Sequence, residues 1–260
     1  MEMSDRLLPR EDKEVGECLS RYFIDKLGMM ILPHARVVAI EPDGDTQRIV
    51  FVNEGREKLV RTEAIVLATG SRPEVDCGLE NAGVKYRNSG VIVDKSFATS
   101  ARNIFAIGDV IGGESSTERA SYQGAFLVNS LVGRHKVELD YSGFARVTKT
   151  FPEVATVGLS EDDLLRRDRK YRKVVLPLSE IPAGKIYDFE DGFVKLISDM
   201  AGHILGATVV APGAELMVQE IALALRQHLT VLDLASLPHA ENSYAQAIKI
   251  AAQRLALIRK

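Results

Sequence analysis

The 260-residue chain has two cysteines, Cys18 and Cys77, and no tryptophan. Two such distant cysteines make no disulfide framework and no C-x-x-C or C-x-x-x-x-C redox pair. Cys18 falls on the apolar face of an expected helix and reads as a buried, inert thiol. No stretch approaches the roughly 20 apolar residues of a membrane span, and no signal peptide opens the chain. A soluble cytoplasmic protein without membrane contact is therefore expected. The net charge of −3 gives no reason to expect nucleic acid. The one dense charge run, Glu161 to Lys173, mixes both signs and reads as a solvated helix face. His34, His135, His203 and His228 lack metal-ligand spacing, so no metal site is expected. The most informative absence concerns glycine. None of the 20 glycines falls in a G-x-G-x-x-G or G-x-x-x-x-G-K string, the turns that bring backbone N–H groups onto a pyrophosphate.

What is present is organised around residues 97 to 113. Asn103 to Ile107 is a short apolar run closed by Gly108-Asp109, and Ser115-Ser116-Thr117-Glu118 has the S-x-x-E spacing of a helix N-cap box. The pattern predicts a buried strand, a tight turn and a helix from about Ser116 to Val132, ended by Gly133-Arg134-His135. Asp109 would stand at a strand's carboxyl end beside a helix N-terminus, where open α/β sheets bind nucleotides. The alternative is an ordinary βα turn in which the aspartate caps the helix.

Before this stretch, apolar periodicity predicts a helix over Asp12 to Leu27, stopped by Gly28. Strands are expected at Met29–Leu32, Arg36–Ile40 and Arg48–Val52, the last two joined around Asp43-Gly44-Asp45. Glu63 to Gly70 reads as a buried strand with a glycine exit. A short helical turn is expected at Leu79–Gly83 and a strand at Val91–Val93. Beyond it, strands are expected at Ala145–Lys149, Lys173–Leu178, Gly192–Ser198 and Ile204–Val210. Ser160 caps a helix. Glu215–Gln227 reads as a helix buried on most sides, and Tyr244–Ile258 as a final amphipathic helix. Strands followed by packed helices suggest α+β for this last part.

Several strings resemble the pyridine nucleotide-disulfide oxidoreductases, the family of dihydrolipoamide dehydrogenase, glutathione reductase and mercuric reductase. Thr99-Ser100, Ile104 to Asp109, Ala120 and Gln123-Gly124 resemble its second flavin motif. The resemblance implies that Gly108 and Asp109 belong to an FAD site, with Asp109 on the ribityl chain and the helix start at Thr117 facing the flavin. Residues 1 to 71 resemble the second half of the family's NAD-binding domain, ending in Ala68-Thr69-Gly70. There Glu2 corresponds to the acidic residue that binds the adenosine ribose, Val37 to the residue packed on adenine, and Gly70 to a close backbone approach. A carboxylate at Glu2 would repel a 2′-phosphate and so implies NAD rather than NADP. Its place at the chain's second position makes a frayed, unused side chain the competing reading. Phe151 to Leu159 resembles the family's T-x-P-E-V-A-x-V-G motif, and residues 140 to 260 resemble its dimerisation domain, implying a homodimer.

The implied fold is thus α/β nucleotide-binding (Rossmann-type) partial domains followed by an α+β dimerisation domain. Residues 1–71 are the second half of an NAD domain, 72–139 the C-terminal segment of an FAD domain, and 140–260 the interface domain. The chain looks like the C-terminal part of a family member, entered in mid-domain, with the N-terminal half supplied by another polypeptide or left out.

The sequence departs from the family near its end. The family carries H-P-T-x-S-E, whose histidine carries protons for the partner subunit's dithiol and whose glutamate orients that histidine. Here Glu241 stands at the histidine position and Gln246 at the glutamate position. His239, two residues earlier, is a weak substitute; capping or an interface role is its ordinary reading. Three functions are carried forward. The first is part of an FAD- and NAD-dependent oxidoreductase that has lost its disulfide-reductase proton relay and is inactive as an isolated chain. The second is a non-catalytic dimerisation module. The third is rearranged chemistry that holds a nucleotide without glycine loops.

Overall fold

The computed structural model describes residues 1–133 and 139–258; Arg134 and His135, expected at a helix end, lie outside them. The chain divides into two compact units, one of residues 1–65 with 142–260 and the other of residues 66–141.

The first unit begins with α1, Lys13–Leu27. Its end is fixed as the sequence predicts. Gly28 adopts φ +63° and returns its N–H to Ile24 O, a left-handed stop that glycine adopts without a Cβ penalty. Cys18 is buried on the inner face of α1, where burial pushes its thiol above the ordinary value. Three antiparallel strands follow in order: β1 (Ala35–Asp43), β2 (Thr46–Asn53) and β3 (Arg56–Thr62). β3 is not expected from the sequence, because Arg56-Glu57-Lys58 hides its strand character. The expected strand at Met29–Leu32 is absent. Instead Leu32 O accepts the Glu2 N–H at 2.9 Å and Glu2 O accepts the Ala35 N–H at 2.8 Å.

In the second unit β4 (Tyr86–Arg87) and β5 (Gly90–Val91) form a small hairpin, and α2 spans Thr117–Leu131. Two expectations fail here. Glu63 to Gly70, which crosses from one unit to the other, is not a buried strand: no described strand pairs with it, and Val66 and Leu67 are 90% and 74% exposed. Asn103 to Ile107 is also not a buried strand but an extended segment with one bridge, Ala98 to Phe105. Both runs have the composition of central strands. A strand exists only where a neighbour takes its N–H and C=O groups; among the described residues no strand lies beside Glu63–Gly70, and Asn103–Ile107 has only a short pairing in which Phe97 O accepts the Ala106 N–H and Ile104 O accepts the Thr99 N–H.

The first unit resumes with β6 (Ala145–Thr148), β7 (Glu153–Gly158), α3 (Glu161–Arg166), β8 (Arg172–Pro177), α4 (Pro182–Ile186), β9 (Phe193–Ser198), β10 (Ile204–Ala211), α5 (Ala214–Arg226), α6 (Val231–Ser236) and α7 (Gln246–Leu257). The five strands form one antiparallel sheet in the order β6-β7-β10-β9-β8. Alternation sorts its side chains. Ala155, Val157, Val194, Leu196, Ala207 and Val209 join a core with Ile221, Val218 and Ile248 of α5 and α7. Val154, Phe193 and Val210 point the other way, onto Val15, Cys18 and Leu19 of α1. The sheet is therefore covered on both faces.

Ser160 caps α3 with a complete box, accepting the Asp163 N–H while Asp163 accepts the Ser160 N–H. α3 stops at Arg166, so Arg167 to Tyr171 is a loop rather than the helix face expected there. α5 is less enclosed than its composition suggests: Leu216 and Leu223 are 75% and 62% exposed.

The face covered by α1 carries a fully buried cation. Lys195 of β9 is 0% exposed, and its Nζ lies 3.0 Å from Asp12 and 3.0 Å from Glu14, with Glu161 also in contact. Lys173 and the Tyr171 hydroxyl reach Glu161 as well, each at 2.7 Å. Burial alone would raise the Glu161 carboxyl, but these donors and Lys195 hold it down at about 2. The cost is visible on Tyr171, whose phenol is pushed up to about 12 by its bond to Glu161. Burial would also discharge Lys195, yet Glu161, Asp12 and Glu14 hold its ammonium above the ordinary value. Asp12, which shares Lys195 with the others, is pushed up by burial.

Candidate functional site

The turn at Asp109 is built by contacts that need small residues. Residues Gly108–Ile111 form one 3-10 turn. A Cβ on Gly108 would meet Ala120 Cβ at 3.0 Å, and one on Gly124 would meet Ile107 Cδ1 at 3.4 Å. At Gly112, with φ +72°, it would lie 1.8 Å from Ser89 O, so the backbone passes where no side chain fits. Gln123, 1% exposed, braces the turn by accepting the Gly108 N–H at 2.6 Å and donating to the Tyr141 hydroxyl at 3.1 Å. Ala120, Gln123 and Gly124, legible in the sequence only as a string, are thus the groups that position Asp109. The brace itself could not be read from spacing.

Asp109 is exposed. One of its oxygens accepts the Ser115 hydroxyl. The N-cap of α2 is Ser116, whose hydroxyl accepts the Arg119 N–H at 3.1 Å. The cap therefore lies one residue later than the expected Ser115–Glu118 box, which does not form, and the Ser115 hydroxyl is instead bonded to Asp109. Thr117 is the first residue of the helix. The arrangement places a carboxylate acceptor beside the positive end of a helix dipole. An exposed carboxylate acceptor of this kind fits the hydroxyls of the ribityl chain that the family resemblance places there. Nothing in the turn resembles a pyrophosphate cradle.

Glu2 and Val37 lie in the first unit. The Glu2 carboxylate accepts the Ser4 N–H at 2.7 Å, and its backbone is tied to Ala35, two residues before Val37. Val37 is 45% exposed on β1. Gly70, with φ +96°, has open space where a Cβ would be and belongs to the second unit.

Glu241 and Gln246 are brought together. The Gln246 amide donates to Glu241 Oε2 at 2.9 Å, while Gln246 Oε1 is buried without a partner. Two residues away, the His239 side chain is 4% exposed. Its Nε2 lies 2.9 Å from Glu220 Oε1 and its Nδ1 3.0 Å from Leu237 O. Both ring nitrogens thus face oxygen atoms, which fixes the orientation of the ring. Glu220 sits on the half-exposed side of α5, and no spacing pointed to it. Among the described residues no group of three or more His, Cys, Asp or Glu is placed to hold a metal ion. No helix among them is long and apolar enough to cross a membrane.

Residues 1–124 match the family model described as pyridine nucleotide-disulphide oxidoreductase, and residues 144–252 match that family's dimerisation domain. The chain belongs to the pyridine nucleotide-disulphide oxidoreductase family. Among curated relatives, the dihydrolipoyl dehydrogenase of Bacillus subtilis is 29% identical over 97% of this chain and 54% of its own length. The mercuric reductase of Lysinibacillus sphaericus is also 29% identical, over 97% of this chain and 46% of its own. The chain thus spans about half the length of the curated relatives it matches. The crystal structure of LpdA from Mycobacterium tuberculosis superposes with a TM-score of 0.86 at 28% identity, covering 97% of this chain and 55% of that one. The flavoprotein disulfide reductase RclA from Escherichia coli, at 22% identity and TM-score 0.87, shares the fold. The mixed α/β fold class with a dimerisation domain expected from the sequence is the fold of this oxidoreductase family.

Proposed function

We propose that the chain is the C-terminal part of an FAD- and NAD-dependent oxidoreductase that passes electrons from NADH through FAD to an acceptor other than a thiol-linked disulfide. Residues 1–71 are assigned to the NAD domain, 72–139 to the FAD domain and 140–260 to the interface. The observation that carries this reading is the Asp109 turn, braced by Gln123 and placed at the start of α2. FAD, when bound, supplies the two-electron acceptor for a hydride. Asp109 would bind its ribityl hydroxyls, Thr117 and the start of α2 would face its ring, and Gly108 would keep the turn close to the helix. Glu2, Val37 and Gly70 would bind the adenosine half of NAD. Glu241 and Gln246 hold each other where the family's imidazole and carboxylate stand, which supports loss of the proton relay.

The chain alone is expected to be colourless, because the turn lacks a pyrophosphate cradle. Joined to the upstream half of the Bacillus subtilis dihydrolipoyl dehydrogenase, it should take up flavin. Asp109→Ala should then weaken retention by about 1.5–3 kcal/mol, the range of a hydrogen bond to a charged group. Flavin absorbance under limiting FAD measures this, and unchanged occupancy in the variant removes Asp109 from the site.

A homodimer is proposed from the dimerisation-domain match, with the exposed Leu216 and Leu223 stripe of α5 available for burial. A closed two-fold contact of this kind buries more than roughly 1,000 Å². Sedimentation at micromolar concentration should show a dimer, and monomer alone would exclude it.

The other reading is a non-catalytic dimerisation module. The observation that favours it is the Glu241–Gln246 pair, which has no imidazole. Flavin uptake by the joined protein separates the two.

A further inference from the structure

The loop that follows α3 carries a concentration of positive charge at odds with a chain of net charge −3. Between Arg166 and Lys173 stand six basic residues and one acid, Asp168. Arg166 is paired with Asp163, and Lys173 with Glu161. Arg167, Arg169, Lys170 and Arg172 have no ion-pair partner among the described residues. They are presented on fixed backbone. Asp168 takes φ +49°, its N–H returns to Leu165 O at 3.1 Å, and the Arg169 N–H returns to Leu164 O at 3.0 Å. This double closure is the Schellman form of helix end, so the loop does not need to be ordered by a ligand.

Two hollows open beside these cations, and Arg169 is on the wall of both. One, of about 340 Å³, runs between Leu165, Lys170, Tyr171 and Met200. The other, of about 490 Å³, has Leu159, Ile204 and Leu205 as its apolar side and His203 and His228 at its edge. Leu165 and Met200 are 66% and 39% exposed. The acids lining the hollows are Asp168, and Asp199, which is engaged by the His203 ring at 3.2 Å and by backbone N–H groups, while the neighbouring Glu161 and Asp163 are paired with Lys173 and Arg166. The local balance therefore stays positive.

We propose that this surface is a docking site for an acidic peptide segment of a partner protein, one in which apolar side chains alternate with carboxylates. The charge decides the sign of the partner. The two apolar hollows along one cationic wall decide its shape, because an extended chain fills both and a single small anion fills neither. Exposed ion pairs are individually weak and screened by salt, so useful affinity here needs several of them together with buried apolar anchors.

The test uses the whole chain and a fluorescein-labelled peptide in which glutamate alternates with leucine and phenylalanine. Fluorescence anisotropy should show saturable binding that weakens as salt rises. The double variant Arg169→Glu with Lys170→Glu should weaken it by about tenfold or more, as reversal of rim charges does at complementary interfaces. Leu165→Ser should weaken it severalfold while leaving the salt dependence in place. All three substituted positions are exposed, and an unchanged circular dichroism spectrum verifies the fold. Binding that survives the charge reversal overturns the proposal, as does the absence of binding. Equal binding of a glutamate-only peptide, of inorganic phosphate, or of vesicles of anionic phospholipid also overturns it, since the apolar hollows would then have no part.

Discussion

Lys195→Met should destabilise the first unit by about 3–5 kcal/mol, the usual consequence of removing one partner from a buried ion cluster. Methionine nearly matches the lysine stem in length, so packing changes little and the electrostatic loss dominates. What remains is a set of carboxylates, with the Asp12 side chain 3% exposed and that of Glu161 14% exposed. Glu161 keeps Lys173, but Asp12 loses its only cation within 4 Å among the described residues. Urea denaturation followed by tyrosine fluorescence and circular dichroism measures the loss. Adding Asp12→Leu to Lys195→Met should recover much of it, because a well-packed apolar pair often replaces a buried ion pair at no cost. An unchanged midpoint in the single variant would show that the cluster contributes nothing.

The same cluster sets a pH dependence. Glu161 is lowered from 4.5 to about 2 in the folded state. Its contribution is therefore complete above pH 4.5 and is lost as pH falls toward 2. Asp12 is shifted the other way and opposes this through its own range. Lys195 is raised, so its contribution is complete below its ordinary value and is lost only in strong alkali. Glu161→Gln should flatten the fall of stability between pH 4.5 and 2. A slope equal to that of the unsubstituted chain would mean that Glu161 is not the group responsible.

The second large effect concerns chemistry. With the upstream half joined, Glu241→His with Gln246→Glu should raise lipoamide turnover by about 10²–10⁴-fold, the usual worth of a positioned general acid–base group. Quinone turnover should stay unchanged. Reduction of a disulfide needs a group that accepts a thiol proton and returns it near neutral pH. A carboxylate titrates roughly two units below an imidazole and is a poor carrier at that pH. The Glu241–Gln246 contact of 2.9 Å means that the new histidine and glutamate would stand within hydrogen-bonding reach. The His239 ring is enclosed between Glu220 and Leu237, which argues against its supplying the relay. If the unsubstituted joined protein already reduces lipoamide at the tens per second common among enzymes, the relay is not what this sequence lacks. If His239→Ala removes that activity, His239 rather than Glu241 carries the proton.

Elements that satisfy their own pattern inside the chain were legible. α1, α5, α7 and the strands β8, β9 and β10 lie within a residue or two of their predicted positions, because periodicity and capping are local. Glu63–Gly70 and Asn103–Ile107 carried an equally strong strand signal. They form no buried strand because pairing is a property of neighbours, not of the segment. The candidate site followed the same division. Asp109 could be singled out from Gly108-Asp109 and the helix start. Gln123 was legible only as part of that motif string; its role as a brace was not, because a glutamine within a helix is ordinarily a solvated residue. Glu220 escaped for the same reason, lying 19 positions from His239.

By itself the sequence determined the family, the order of the main elements and the acidic turn at Asp109. Each is written in residue identity and short-range spacing. Tertiary structure alone decided which apolar runs become strands and that α1 covers the second face of the five-stranded sheet. It also decided that Lys195, a charged residue within an otherwise apolar strand, is fully buried among carboxylates. These outcomes depend on which surface lies opposite, and that is set by contacts between residues as far apart as Glu14 and Lys195, which no local pattern encodes.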